Sequence, residues 1–315
     1  MIKKIFMVVL EIFLLLCCAC SSGEGESDVI DNICGQTPCY EGPFEAPWLS
    51  AYDYGLEFWD PAGGLLTNDN RVLKTGHLLI YSDASEDWAK IEMGRTGENA
   101  LALIMGRFQV IPEEIGIVDL YSKIEVYSMR RVSANSGTRA DINGFVNWAH
   151  DTTNSWIEPD DIVRTGTHEC THTVQFRLGG AYSVVWCWFT EGLAEHLSGG
   201  VFPSVACWPE VEAFQNQANS VNPLTIRYID DIPNYDINPG AKAELYYPLF
   251  GLAVRWLLDP DGHGKTCIDV KQMFRDIAGG TGFEEAFQTR MGISQDYFRD
   301  HFYGLMREFL PPNCD

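Results

Sequence analysis

The sequence predicts an α+β fold in which a mixed α/β region precedes a mostly helical one. Short apolar strands at 77–81 and 123–129 flank a segment with helix-like apolar spacing, which gives a strand–helix–strand unit. From residue 160 onward the patterns are helical and are bounded by capping residues and glycines. We therefore predict one domain at 46–315, with an upper α/β lobe at 46–160 and a lower helical lobe at 161–315.

The composition sets one class of partner aside. The chain has 315 residues, 46% of them hydrophobic, and a formal net charge of −22. Its length and hydrophobic content suit a folded core and exclude a disordered chain. Binding to a phosphate backbone needs clustered Lys and Arg, so no nucleic-acid partner is predicted.

The N-terminus predicts export. Two lysines precede an apolar run at 5–16 that is too short to span a bilayer comfortably, as in a signal peptide. The following "LLLCCACSS" resembles a bacterial lipoprotein processing site, which implies a lipidated Cys20 and a membrane anchor. Cys18 and Cys17 are alternatives, as is an ordinary cleaved signal. The predicted segments are a signal peptide at 1–19 and a flexible tether at 20–45.

Seven cysteines follow Cys20, and an exported chain meets an oxidising compartment. Connectivity cannot be deduced from spacing alone. Pairing by proximity gives Cys34–Cys39, Cys187–Cys207 and Cys267–Cys314. Cys170 is then left over, and its place on an apolar helical stripe predicts a buried structural thiol.

The stretch "RTGTHECTHTVQF" carries the strongest chemical signal. His168 and His172 lie four residues apart, about 40° from each other around a helix, so both imidazoles can converge on one ion. Glu169 directly follows His168 on the helix, where it can reach a water beside that ion. This is the HExxH arrangement, with two zinc ligands and a general base. The competing hypothesis is a solvated helical face that happens to carry these residues.

A catalytic zinc site needs a third protein ligand and an open position. The next helical segment, "WFTEGLAEH", offers Glu191, with eighteen residues between it and His172. Glu195 lies one turn further on the same face. We predict Glu191 as the third ligand and Glu195 as an outer carboxylate that accepts the far N–H of a ligand histidine, with His168 as the first choice.

HECTH, the eighteen-residue spacing and "WFTEGLAE" together resemble the gluzincin metallopeptidases, in particular their aminopeptidase-like branch and the bacterial peptidase-MA-like domains. The resemblance covers about residues 75–310. It implies a zincin (thermolysin-like) fold and one Zn²⁺ held by His168, His172 and Glu191. It also implies that Glu169 is the catalytic base.

The family also carries a tyrosine that hydrogen-bonds the oxyanion, on the helix after the glutamate helix. The matching segment here is "ELYYPLFGLAVRWLL". Its alignment places Tyr247 in that role, with Tyr246 as the alternative. A buried aromatic residue with a satisfied hydroxyl would give the same pattern.

One departure from the family concerns substrate specificity. True aminopeptidases have a Gly-x-Met-Glu-Asn strand before the histidines, whose glutamate grips the substrate amine. The corresponding segment here, 143–151, has no glutamate, and "TGENA" at 96–100 lies too far upstream. An edge strand there can still pair with an extended peptide through Gly144, Phe145 and Val146.

These patterns predict a lipid-anchored, exported zinc peptidase that acts on peptides or proteins. Endopeptidase activity is preferred because the amine anchor is absent, and an aminopeptidase is the alternative enzyme. The alternative from another class is a surface lipoprotein that binds peptides or glycans on a peptidase scaffold without cutting them.

Overall fold

The computed structural model describes most of the chain after residue 70, and one short segment before it. The described residues are 49–50, 71–82, 87–119, 122–130, 139–150, 159–180, 184–202, 204–218, 221–233 and 239–314. The predicted signal peptide, the tether, Cys20 and the Cys34–Cys39 pair lie outside these residues.

Six strands and eight α-helices occur within the described residues. The strands are β1 (Leu49–Ser50), β2 (Arg71–Lys74), β3 (Leu78–Ser82), β4 (Ile124–Arg130), β5 (Arg139–Ala140) and β6 (Gly144–His150). The helices are α1 (Asp87–Phe108), α2 (Pro159–Leu178), α3 (Cys187–Ser198), α4 (Trp208–Gln217), α5 (Pro239–Leu258), α6 (Cys267–Ala278), α7 (Phe283–Met291) and α8 (Gln295–Phe309). The protein is therefore mixed α/β and mostly helical, with a small sheet.

The strands form one sheet in the order β1-β2-β3-β4-β6-β5. β3, β4 and β6 are mutually parallel, while β1, β2 and β5 pair antiparallel with their neighbours. Because α1 connects β3 to the parallel strand β4, the predicted strand–helix–strand unit is confirmed. The short strands β1, β2 and β5 were not predicted.

One continuous apolar core joins the sheet to the helices. Leu78 and Ile80 of β3 and Val126 of β4 contribute from the sheet, and alternate residues of a strand share one face. The helical part of the core is rich in aromatic rings, namely Trp188, Phe189, Phe274, Phe283, Phe287 and Phe298. The core thus holds α2, α3 and α5 in fixed relation to the sheet.

Helix α2 packs against α1, β6 and α3, so it lies between the sheet and the helical part. Arg177 in its last turn anchors it at the sheet. The guanidinium donates to the carbonyls of Ile115, Ser122, Lys123, Ile142 and Asn143, at 2.8–3.4 Å. Since four of these carbonyls lie one or two residues before β4 or β6, Arg177 fixes the end of α2 against the starts of both strands.

The cysteine pairing differs from the prediction. Cys207 is bonded to Cys314, across 107 residues of sequence, while Cys170, Cys187 and Cys267 are free. The predicted Cys187–Cys207 and Cys267–Cys314 pairs are wrong, because the fold brings the C-terminus to the start of α4. There the Trp208 backbone N–H also donates to the Pro311 carbonyl, at 3.0 Å. Cys170 is fully buried, as expected.

None of the helices within the described residues is both long and apolar enough to cross a lipid bilayer.

Candidate metal centre

The histidines of α2 are buried, unlike the side chains of a solvated helical face. The exposed fractions are 5% for His168, 4% for Glu169 and 2% for His172. On the other side of α2, Cys170 and Val174 are fully buried in the apolar core. Ionisable groups are rarely buried unless they are paired or bind a metal, so the burial of this face itself needs an explanation.

Three side-chain atoms from two helices converge at this face. His168 Nε2 and His172 Nε2 lie 3.1 Å apart, and each lies 3.3 Å from Glu191 Oε2. Glu191 comes from α3, which packs against α2. The structure therefore brings together the three residues that the sequence predicts as ligands, and this buried group can hold a metal ion.

The geometry of the triangle suits a tetrahedral ion. Ligand atoms about 2.0–2.1 Å from a tetrahedral ion stand about 3.3–3.4 Å from one another. The observed separations of 3.1 and 3.3 Å are close to that value. Two imidazole nitrogens and one carboxylate oxygen form a donor set typical of catalytic zinc. The residues thus fit a divalent metal ion.

A close contact between helices α3 and α5 fixes the position of Glu191. Its neighbour Gly192 faces α5, and a Cβ at that position would lie 2.3 Å from the Phe250 carbonyl oxygen. Only glycine allows the two backbones to approach so closely. Consequently α5 lies directly beside the histidine–glutamate group.

Tyr247 on α5 lies next to this group. Its ring is nearly parallel to that of His168, with an interplanar angle of 4° and centroids 6.3 Å apart. Phe202 packs edge-on against Tyr247, with centroids 5.6 Å apart. Tyr246 instead contacts Phe250 within the core and is 1% exposed. Of the two tyrosines, Tyr247 is the one whose ring contacts a candidate ligand.

Glu195 takes a different set of partners from those the sequence predicts. Its carboxylate accepts the backbone N–H groups of Val201 and Phe202, at 2.7 and 3.0 Å. The distance from Glu195 Oε2 to His168 Nδ1 is 3.9 Å, which is too long for a hydrogen bond. Among the described residues, His168 Nδ1 has no hydrogen-bond partner. Glu195 therefore attracts His168 electrostatically, while its hydrogen bonds hold the turn after α3.

Sequence reasoning missed Gln175. Its Oε1 lies 3.1 Å from His172 Nδ1, and its Nε2 donates to the Thr190 carbonyl at 3.1 Å. The available signal was its spacing, because a residue three positions after His172 lies on the same helical face. A buried amide at that position is a natural outer partner for a ligand histidine.

The charges within the group favour a cation. Burial alone favours a neutral His168, but the hydrogen bond with Glu191 and the charges of Glu169, Glu195 and Glu191 outweigh it. Together they raise the pKa of His168 to about 9. Burial also opposes ionisation of Glu191, yet its contacts with the His172 and His168 imidazoles, each at 3.3 Å, outweigh burial and lower its pKa. Burial raises the pKa of Glu195 despite the charge of His168.

The predicted substrate-strand residues Gly144, Phe145 and Val146 do not form a free strand edge. In β6, Phe145 and Val146 pair with β4 on one side and with β5 on the other. A Cβ at Gly144 would lie 1.8 Å from the Glu125 carbonyl oxygen, so this backbone is closely packed as well. The edge-strand prediction is therefore corrected here: within the described residues, only the backbone at 147–150 lacks a neighbour opposite β4.

No protein-family model matches this chain, and no curated protein matches it significantly. The resemblance to gluzincins thus depends on the motif residues themselves.

Proposed function

We propose that this protein is a zinc-dependent peptidase with a zincin fold, similar to the gluzincins. The observation that carries the proposal is the buried triangle of His168 Nε2, His172 Nε2 and Glu191 Oε2. Glu169, a potential base, is buried one residue from the first ligand. The 2-His-1-carboxylate set also occurs in non-haem iron oxygenases, but the HExxH placement of Glu169 favours hydrolysis.

The roles of the side chains follow from their chemistry. His168, His172 and Glu191 would hold the ion, which when bound supplies Lewis-acid polarisation and lowers the pKa of water. Glu169 accepts the proton of the attacking water and passes it to the leaving amine nitrogen. The Tyr247 hydroxyl donates a hydrogen bond to the oxyanion of the tetrahedral intermediate.

Endopeptidase activity is favoured over aminopeptidase activity. An aminopeptidase needs a carboxylate that is free to grip the substrate amine. Glu98, in the "TGENA" segment, is 2% exposed, and its carboxylate is occupied by the turn at 75–77. An extended substrate would pair with the backbone of β6 at 147–150, which has no strand opposite β4 among the described residues.

The deciding experiment combines metal analysis with peptide cleavage. Purified protein lacking residues 1–45 should contain one zinc per chain and cleave casein or a quenched-fluorescence peptide library, and a chelator should abolish cleavage. Glu169→Gln should keep its zinc and lose about 10²–10⁴-fold in kcat. A Glu169→Gln variant as active as wild type, or a protein that contains iron or no metal, would contradict the proposal. Peptide binding without cleavage would favour the binding lipoprotein.

The two adjacent tyrosines provide a matched test of the oxyanion role. Tyr247→Phe should lower kcat by about 10²–10³-fold, the usual effect of removing one oxyanion donor. Tyr246→Phe removes a hydroxyl from the neighbouring core position and should change kcat little. Equal effects of the two substitutions would remove Tyr247 from the mechanism.

We also propose that the protein is exported and anchored by a lipid on Cys20. The support is the N-terminal sequence, together with the Cys207–Cys314 disulfide, since such bonds persist in oxidising compartments. Labelled palmitate should be incorporated into the wild-type protein and not into Cys20→Ala. Equal labelling of the two would exclude Cys20 and leave Cys17 and Cys18 as candidates.

A further inference from the structure

We propose that Gln175 is a positioning residue that fixes the tautomer of His172 and the distance between the histidine helix and Glu191. The inference rests on the proposed metal function and concerns how the chain prepares its ligands. Gln175 is 1% exposed and connects α2 to α3 through its side-chain amide.

The orientation of the Gln175 amide follows from its partners. The Thr190 carbonyl can only accept a hydrogen bond, so the group facing it must be the NH₂ of Gln175. The amide oxygen must then face His172 Nδ1, as observed at 3.1 Å. Because that oxygen can only accept, His172 must carry its hydrogen on Nδ1.

The tautomer of His172 determines what its other ring nitrogen, Nε2, can do. A neutral His172 with hydrogen on Nδ1 presents the lone pair of Nε2 as a ligand. That atom lies 3.1 Å from His168 Nε2 and 3.3 Å from Glu191 Oε2. Gln175 therefore selects the tautomer that can ligate before any ion arrives.

The same amide also sets the spacing of the two helices. Thr190 immediately precedes Glu191, so the bond to its carbonyl holds the backbone that carries the third ligand. One side chain on α2 thus positions a ligand on each helix. His168 has no comparable hydrogen-bond partner on Nδ1 among the described residues, so the effect should be specific to His172.

Gln295 provides a matched control. It is also buried, at 2% exposed, and its amide donates to the Leu224 carbonyl at 3.2 Å, but it touches no candidate ligand. Gln175→Leu and Gln295→Leu each remove one buried amide–carbonyl bond between elements. Zn²⁺ affinity, measured by competition with a chromogenic chelator, should fall about 10–100-fold in Gln175→Leu and about twofold or less in Gln295→Leu. Equal affinities of folded Gln175→Leu and wild type would overturn the inference.

Gln175→Glu separates the two roles, because a carboxylate keeps the acceptor for His172 and loses the donor to Thr190. Its Zn²⁺ affinity should exceed that of Gln175→Leu by about tenfold or more. The visible absorption of the Co²⁺ form should change in Gln175→Leu and be largely restored in Gln175→Glu. An affinity for Gln175→Glu no better than for Gln175→Leu would contradict the tautomer role.

A measurement without metal distinguishes this inference from the proposed function. In metal-free wild-type protein, ¹⁵N NMR of the histidine rings should show hydrogen on His172 Nδ1. Hydrogen on Nε2 alone would overturn the inference, even if Gln175→Leu fails to fold. A wild-type protein that binds neither Zn²⁺ nor Co²⁺ but shows the Nδ1–H form would refute the peptidase and still support Gln175 as the group that fixes the His172 tautomer.

Discussion

Glu98 and Glu191 are both buried and both contact histidine, but they do so in opposite ways. Glu98 on α1 accepts hydrogen bonds from the Thr75 hydroxyl, the His77 backbone N–H at 2.7 Å and His77 Nδ1 at 2.8 Å. Glu191 on α3 contacts two imidazole nitrogens at 3.3 Å, and those nitrogens lie 3.1 Å from each other.

The difference lies in the balance of donors and acceptors. Around Glu98 each contact pairs a hydrogen with an oxygen lone pair, so the cluster is complete as a hydrogen-bond network. Around Glu191, three atoms that can each offer a lone pair face one another, namely Glu191 Oε2, His168 Nε2 and His172 Nε2. When His172 carries its hydrogen on Nδ1, its Nε2 can only accept. Such a group becomes favourable only when a proton or a metal ion lies among the three atoms.

The comparison teaches that burial and a Glu–His contact do not by themselves indicate a metal site. Both glutamates are buried and both have lowered pKa values, although burial opposes the shift in each. The convergence of acceptor atoms from two helices is what distinguishes the Glu191 cluster.

The largest expected difference is in metal affinity. Glu191→Gln replaces a charged ligand oxygen with a neutral one, so Zn²⁺ affinity should fall by at least about a hundredfold, the upper end for loss of an outer partner. The same substitution at the other glutamate, Glu98→Gln, should leave the affinity within about twofold. Chelator competition measures both, and similar losses would show that the two clusters do not differ as described.

Metal affinity should also depend strongly on pH. The pKa of His168 in the metal-free protein is raised to about 9, so its proton is bound below that pH and competes with the ion. Zn²⁺ affinity should rise about tenfold per pH unit from pH 7 to about 9 and then level off, as expected when one proton is released. Isothermal titration in buffers of different ionisation enthalpy counts that proton. An affinity that stays constant between pH 7 and 9 would contradict the prediction.

A backbone change next to Glu191 should disturb its cluster and destabilise the fold. Gly192→Ala places a Cβ 2.3 Å from the Phe250 carbonyl oxygen and must separate α3 from α5. We expect a loss of about 1–3 kcal/mol in unfolding free energy, typical of overpacking, and weaker Zn²⁺ binding. The control is Gly304→Ala in α8, where a Cβ meets nothing within 4 Å. This control should leave the unfolding free energy unchanged or raise it by up to about 1 kcal/mol. Similar results for the two variants would exclude a close contact between α3 and α5 at Gly192.

The smallest effect concerns Glu98, whose role is structural. Burial opposes its ionisation, but hydrogen bonds from His77 and Thr75 outweigh burial and lower its pKa in the folded protein. The stability it supplies is therefore present above the unfolded value of about 4.5 and is lost as the pH falls through the folded value. Glu98→Gln should cost about 1–2 kcal/mol at pH 7 in chelator-treated protein. In urea titrations that cost should shrink below pH 4.5; a constant difference would contradict this assignment.

Much of the helical architecture could be predicted from the sequence. Helices α2, α3 and α5 form where periodicity and capping residues place them, and β3 and β4 where apolar runs do. The strands of two residues carry no periodic signal, so β1 and β5 could not be predicted. Disulfide pairing failed for a related reason, because the Cys207–Cys314 contact depends on where the chain returns after α8.

The sequence by itself determined which residues can ligate, since the spacing within one helix places His168 and His172 on one face. Only the tertiary structure decided that Glu191 joins them and that Tyr247, not Tyr246, lies beside them. It also decided that Gln175, and not Glu195, forms a hydrogen bond with a ligand histidine. The physical reason is that helical periodicity fixes neighbours within a helix. The distance between two helices depends on packing at residues such as Gly192. The sequence around such a residue does not indicate that it brings a ligand into place.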